Sequence, residues 1–525
     1  MMILVNVGLR VIIPIMIIMV FVLMSLSQPI NGDIGWLFHA TTQWLNGKEL
    51  YVDIIEVNPP LIFYIMSPAV FFSKAFGVNP VLMAKLYLSF ITLGLTVIHL
   101  MLMFRVVHKN LFFNMYLPCI LLIVFVIPGY DFSQRDHLAI LLLLPYLTCR
   151  YLKFFKHIEF NFFTIISLGF LAGLSICLKP HFILLVISCE LFWFVKVKSI
   201  NLLIDAMIYS IILTCALFYV LLIVCHYTYI SEMVPLALAT YWTYGKSIYS
   251  FNLWNYLYFY TVMIFISRFI ESESNRILIV FFNILIAAAF INFLLQSHYS
   301  YQLLPFKTLF YINLFVVVTS LLGQVSGFSI LSKTYYFISF LLSFYYLSMY
   351  MKENWRLFEY VYDYRALPPF HLMGYENLSD GVSEINNKFD GENLYVLSSN
   401  VWPSAFISGY TKAKWVSGFP ALWPLPAIDM YQRNPEKLTK DKIVRISNVE
   451  KNVISRILLE IEIYKPKAIL IDARENPSYF IDDFSYLEFF REEHMLSKVF
   501  DDYSDSGYEI NVYNRVKFKV YIRNQ

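Results

Sequence analysis

Residues 31–60 read NGDIGWLFHATTQWLNGKELYVDIIEVNPP, a polar and aromatic stretch directly behind an apolar run at about residues 7–27. That run has the length of a signal peptide, but no small-x-small cleavage site precedes the polar residues 28–31, so it reads as an uncleaved membrane anchor. Asp33 then lies a few residues past the hydrocarbon edge. A carboxylate at that depth loses part of its hydration and accepts a proton more readily, provided a hydroxyl comes within hydrogen-bond reach. The alternative is that Asp33 merely caps a helix starting near Ile34, a common role for Asp.

The surrounding chain has 525 residues, 58% of them hydrophobic and 15% charged, against about 45–50% and about 25% in soluble proteins. An ordinary soluble enzyme is excluded. Residues 1–351 carry 18 Lys and Arg against 12 Asp and Glu, whereas residues 352–525 carry 22 against 25. This tripling of charge density predicts a lipid-embedded domain at 1–351 and a water-exposed domain at 352–525. The net charge of +3, with no basic cluster, argues against nucleic acid and leaves lipids and small polar molecules as partners. All six cysteines fall in apolar stretches and read as small buried hydrophobes.

A helix needs about 20 apolar residues to cross the hydrocarbon. Such runs recur at 80–104, 111–128, 138–152, 162–178, 181–195, 201–228, 252–268, 277–295, 308–323 and 334–351, which with the first makes eleven crossings. Residues 60–76, entered through Pro59 and Pro60 and carrying Pro68 and Lys74, read instead as an interfacial helix. With the amino terminus inside, the cytoplasmic loops collect Arg105, Lys109, Arg150, Lys153, Lys156, Lys196, Lys198, Arg268, Arg276 and Lys333, as the excess of basic residues on that side requires. The outer side keeps Lys48, Lys74, Arg135, Lys179, Lys246 and Lys307, with Lys85 near that face. An odd number of crossings puts the hydrophilic tail on the same outer side. The tail alternates strand-like runs at 393–398, 467–471, 508–513 and 516–521 with a helical stretch at 448–463, the pattern of a small α/β domain. Between them, residues 400–426 hold Trp402, Trp415 and Trp423 among prolines and glycines and read as a long ordered loop. The expected architecture is an all-α polytopic membrane domain followed by a small extracytoplasmic α/β domain.

Several outer loops carry chemistry. Residues 128–137 read PGYDFSQRDH, placing Asp131, Arg135, Asp136 and His137 at the mouth of two apolar helices, where ionic groups are costly unless paired or used. Arg135 either pairs with one of the two aspartates for structure or serves a site. Lys179 and His181 flank a helix-breaking proline between two apolar runs; Lys179 either snorkels to headgroups or binds phosphate. Residues 296–302, QSHYSYQ, offer His298, Tyr301 and Gln302, groups that suit sugar hydroxyls but also the bilayer interface. The loop at 241–246 is similar and weaker.

An Asp shortly after the first membrane helix, a following helix, a Gly-x-x-x-Tyr turn at Gly47 and Tyr51, and Pro59-Pro60-Leu61 entering an interfacial helix resemble the first outer loop of the GT-C superfamily. The closer resemblance is to its protein mannosyltransferase and lipid A aminoarabinose transferase branch. It departs from the family at Ile34, where no acidic neighbour stands, and at Asn58, where many members have His or Lys. The resemblance implies a polytopic helical fold and a transferase using a polyprenyl-phosphate-linked sugar. It implies that Asp33 is the active-site acid, and that Asp131 or Asp136 corresponds to a second acidic position in a later loop; the spacing does not choose between them.

The expected reaction is transfer of a hexose or pentose to an acceptor hydroxyl of a glycan, lipid or protein on the outer face of a bacterial inner membrane. Asp33 acts as base, Arg135 and Lys179 hold the phosphate as clamp and point charge, and His137, His181, His298, Tyr301 and Gln302 contact the sugar or acceptor. No cofactor is expected, since no ligand spacing such as H-x-x-x-H occurs; a divalent cation between phosphate and Asp131 or Asp136 is the one metal the loops allow. The rival readings are a transporter or flippase of a lipid-linked or anionic substrate, and a noncatalytic scaffold. No internal repeat or inverted hydropathy halves are visible, and the ionisable residues within spans, such as Glu190 and Asp205, stand isolated, which disfavours a carrier.

Overall fold

A computed structural model describes residues 2–107, 111–199, 205–245, 253–296, 298–324, 378–474, 477, 479–480, 484–492, 494–513 and 516–524. The crossing expected at 334–351, the domain change at 351/352 and Lys109, Lys246 and Lys333 lie outside these residues. Among the described residues six helices are long and apolar enough to cross a membrane: Pro80–Arg105, Arg135–Phe155, Pro180–Val197, Ala206–Cys225, Glu273–Leu294 and Ser300–Leu321. Shorter apolar helices occupy Ile12–Leu23, Leu61–Phe76, Met115–Val126, Phe162–Leu178 and Tyr256–Phe269. The chain divides into two compact units, one of Met1–Ser25, Tyr87–Val220 and Lys246–Trp355, the other of Leu26–Leu86, Leu221–Gly245 and Arg356–Gln525.

In the first unit, helix Arg135–Phe155 is the core element, with 83% of its span buried against 22% for Ala206–Cys225, which presents Ile212, Leu213 and Leu217 outward. Lipid tails are as apolar as Leu, so such a helix is held by close packing and not by hydrophobicity. The sequence supplies that packing: Gly169 and Gly173, one turn apart on Phe162–Leu178, meet Ser210 and Thr214. A Cβ on Gly173 would stand 2.6 Å from Thr214 Cβ, and one on Gly169 would stand 2.5 Å from the Met207 carbonyl. Ser210 Oγ donates to Ile166 O at 2.8 Å across the same seam.

At the carboxyl end of Arg135–Phe155, fully buried Arg150 reaches Glu190 at 2.7 Å and Asp205 at 3.2 Å, Lys153 pairs with Asp205, and Tyr146 donates to Glu190. Glu190 and Asp205 are therefore not the isolated ionisable groups expected from sequence. Their cations come from one helix, and hydropathy assigns those same cations to loop flanks. A second buried chain runs from Tyr116 Oη to His99 Nε2 at 2.6 Å and from His99 Nδ1 to Thr148 Oγ1 at 2.9 Å.

In the second unit, helix Gly32–Leu45 is followed by a turn at Gly47, whose φ of 101° suits glycine. Tyr51 Oη then donates to Asn58 O at 2.7 Å, closing the Gly-x-x-x-Tyr turn onto the residue before Pro59-Pro60. Helix Leu61–Phe76 follows, starting behind Pro60 and stopping at Gly77 with φ 62°. Its 16 residues span about 24 Å, less than the roughly 30 Å of hydrocarbon.

The hydrophilic part of this unit is a five-stranded sheet in the order β2-β1-β3-β5-β4. Strands β1 (Asn393–Leu397), β2 (Lys414–Trp415) and β3 (Ala468–Asp472) are parallel, and β4 (Tyr503–Tyr513) and β5 (Val516–Arg523) add antiparallel. Helix Lys440–Tyr464 covers it with Ile446, Val449, Val453, Ile454, Ile457 and Ile461 inward. Thr439 caps its start, and Lys465 in the left-handed region, before Pro466, ends it. The expected long loop at 400–426 is structured instead: it holds helix Trp402–Tyr410, with a proline in its first turn, and strand β2. Its prolines and glycines mark the ends of short elements.

Candidate functional site

In the first unit, one group of expected site residues comes together where several helices begin and end. Asp136, in the first turn of Arg135–Phe155, is fully buried, an acid placed where the helix dipole favours it. Its Oδ2 lies 3.0 Å from Lys179 Nζ, delivered by the residue that ends helix Phe162–Leu178. Lys179 also donates to Gln296 Oε1 at 3.2 Å, and its ammonium lies 5.7 Å from the centre of the Tyr301 ring. Gln296 is oriented in turn by Asn292, through its O at 3.1 Å and Oδ1 at 3.2 Å. The Tyr299 and Tyr301 rings stack with centres 5.6 Å apart. Lys179 is thus an interior cation with an acid, an amide and a ring around it, not a side chain reaching outward to headgroups. Asp136 Oδ1 is buried without a hydrogen-bond donor among the described residues. Such an acceptor is costly unless a ligand hydroxyl or water meets it.

The neighbouring expected residues divide. Asp131 stands near enough to Lys307 for their charges to interact. Arg135 is buried at the first position of its helix. His137 is fully buried, accepts Ser133 N–H on Nδ1 at 3.1 Å and packs on Phe132. Gln302 Oε1 accepts from Tyr299 N at 2.9 Å in a capping box, and His298, at φ 58°, turns its Nε2 to Leu294 O at 3.3 Å. These last three side chains serve the local backbone, whereas His181 is exposed on the turn Pro180–Phe182. Gln296 is the member of the Lys179 group whose role sequence reading missed. Its signal was its place four residues beyond Asn292 on one helix face.

In the second unit, the helix bearing Asp33 is capped by Asn31, whose Oδ1 accepts from Asp33 N at 3.0 Å. Asp33 is the second helical residue and half-buried, so the capping role considered for it belongs to Asn31. Behind it, Trp36 Nε1 donates to the buried Glu56 at 2.6 Å, and Glu56 Oε1 accepts from Asn58 N at 3.0 Å and Nδ2 at 2.6 Å. Asn58, standing where the resembling family often has a cation, thus fastens the turn before Pro59-Pro60. Glu56 is a carboxylate the sequence reading passed over. His39, half-buried beside Trp36, is lowered to about 4 by burial and then by the Lys48 charge. Tyr64 Oη and His226 Nε2 are hydrogen-bonded at 3.0 Å in an aromatic group with Trp44 and Tyr51. Among the described residues no three His, Cys, Asp or Glu side chains group to hold a metal ion.

No protein-family model matches the sequence, and no curated protein matches it. Among solved structures, the chain is similar to the crystal structure of ArnT from Cupriavidus metallidurans bound to undecaprenyl phosphate. The TM-score is 0.53 at 12% identity, covering 98% of this chain and 97% of that chain. At that identity the likeness is one of fold, and it runs nearly end to end through both chains.

Proposed function

We propose that the chain is a GT-C type glycosyltransferase of a bacterial inner membrane, moving a hexose or pentose from a polyprenyl-phosphate-linked donor to a hydroxyl of a glycan, lipid or protein. The observation that carries this reading is the fold shared with a protein crystallised with undecaprenyl phosphate. In the proposed reaction the Asp33 carboxylate takes the proton of the acceptor hydroxyl. The acceptor oxygen forms its bond to the anomeric carbon as the carbon–oxygen bond to phosphate breaks on the opposite face, inverting the configuration. The electron pair leaves on the polyprenyl phosphate, whose charge Arg135 and Lys179 offset. Asp136 holds Lys179 in place, and its open oxygen, with Tyr301, suits a sugar hydroxyl and ring. Eleven crossings, with the sheet domain outside, complete the proposal.

A carrier would use the same charged loops as a phosphate gate and would place further functional charges within the spans. Arg150, Lys153, Glu190 and Asp205 neutralise one another and so suit a clamp between helices better than a transport site. Transfer itself separates the readings. In membranes supplied with labelled undecaprenyl-phosphate sugars, Asp33→Asn is expected to lower the rate by about 10²–10⁴, the usual worth of a general base. Undiminished transfer by this variant would remove Asp33 from the chemistry. Undecaprenyl phosphate is further expected to shield Lys179 from amine-modifying reagents.

A further inference from the structure

We infer that the carboxyl-terminal sheet domain is the positioning device for Asp33, gripping the helix that bears it from behind and the following turn from below. The inference rests on the assignment of Asp33 as base. Its observations all lie within the second unit. Gly32 and Gly35 are one turn apart and share a face of helix Gly32–Leu45. A Cβ on Gly35 would stand 2.6 Å from Ala405 Cβ, and one on Gly32 would stand 3.3 Å from Trp402 Cα. Only a helix face without side chains comes this close to Ala405 and Trp402, so the Asp33 helix packs directly on helix Trp402–Tyr410. The peptide leading into the helix is fixed to the same element, since Ile30 N–H donates to the Tyr410 hydroxyl at 2.7 Å in a buried bond.

The second grip is at the turn. Arg456 donates to Val52 O at 2.9 Å and Asp53 O at 3.0 Å, and Ile55 N–H donates to Gly418 O at 2.9 Å. Gly418 has no room for a side chain, because a Cβ there would stand 2.4 Å from Asp53 O. Buried Glu460 organises this grip. Its Oε1 accepts from Arg456 Nε at 2.6 Å and Gly418 N at 3.0 Å, and its Oε2 accepts from the Tyr395 hydroxyl on β1 at 2.9 Å. The anchorage therefore passes from the sheet through Glu460 to the turn, while Trp402–Tyr410 sets the rotation and depth of the helix.

With 100° per residue, Asp33 projects about 130° round the helix from the midline between Gly32 and Gly35. The grip holds the helix on a different side from its acid, as a positioning contact must. A base displaced by about 1 Å can lose as much as about 100-fold in rate while substrate binding is unaffected.

The test uses the full chain in membranes, with undecaprenyl phosphate as binding probe and labelled undecaprenyl-phosphate sugars for transfer. Gly35→Ala is expected to lower kcat about tenfold or more, with KM and probe affinity unchanged. Ala405→Gly, made in the same chain, is expected to restore most of the loss by returning the space. Arg456→Gln should lower kcat in the same way. Wild-type kcat in Gly35→Ala, or a combined fall in kcat and probe binding that Ala405→Gly does not reverse, would overturn the positioning role while leaving the base assignment intact. Normal transfer by Asp33→Asn would instead overturn the base assignment, and the inference with it.

Discussion

An amide closes the first-loop helix and an acid sits just inside it. Asn and Asp are nearly equal as caps, so Asn31 can take the structural task and Asp33 can occupy the second helical position. His39, two turns on, gives this helix a pH dependence. Its folded value of about 4 lies below the ordinary 6.5. Between those values an unfolded segment binds a proton that the folded helix refuses, so stability present above about pH 6.5 is lost as pH falls toward 4, about 2 kcal/mol of it by pH 5. Amide exchange across residues 34–45, corrected for its intrinsic pH dependence, should accelerate through that window, and His39→Gln should flatten the response. Asp33 stands out in the sequence because it lies just past an apolar run. The Asp136–Lys179 pair is hidden there: both are candidates, but a sequence separation of 43 residues conceals the partnership, which arises only from how two helices meet.

Elements fare better than partners. Each apolar helix matches a run visible in the sequence, since length and hydropathy alone define it. Residues 400–426 misled because Trp, Pro and Gly in close succession mark short elements as readily as a loop. The contact faces were also hidden. Gly169 and Gly173 acquire meaning only against Ser210 and Thr214. Gly173→Leu would drive a side chain into Thr214, and overpacking of this kind costs about 1–3 kcal/mol; a lowered Tm in detergent is the expected result. Arg150→Met alone leaves buried Glu190 without its cation, while Asp205 keeps Lys153, and should cost about 3–5 kcal/mol. Adding Glu190→Leu should recover part of that loss, which a double-mutant cycle on thermal unfolding would measure.

For the molecule as a whole, charge density along the chain predicts two environments, and the fold likeness to ArnT spans nearly all of it. The proposed sidedness places residues 130 and 400 outside; single cysteines at these positions, the first replacing the exposed Tyr130, in a background without the native six, should react with an impermeant thiol reagent in intact cells. Labelling of only one of them would refute the arrangement. The bond from Ile30 to Tyr410, 380 residues apart in the chain, also bears on biogenesis. At roughly 5–20 residues per second, a ribosome delivers the second partner roughly 20–80 s after the first. Throughout that interval the first loop lacks this brace. Nascent chains arrested before residue 400 should therefore be cut by protease within residues 28–58, whereas the finished protein should resist, so that the transfer proposed above would begin only once Trp402–Tyr410 has folded against the first loop.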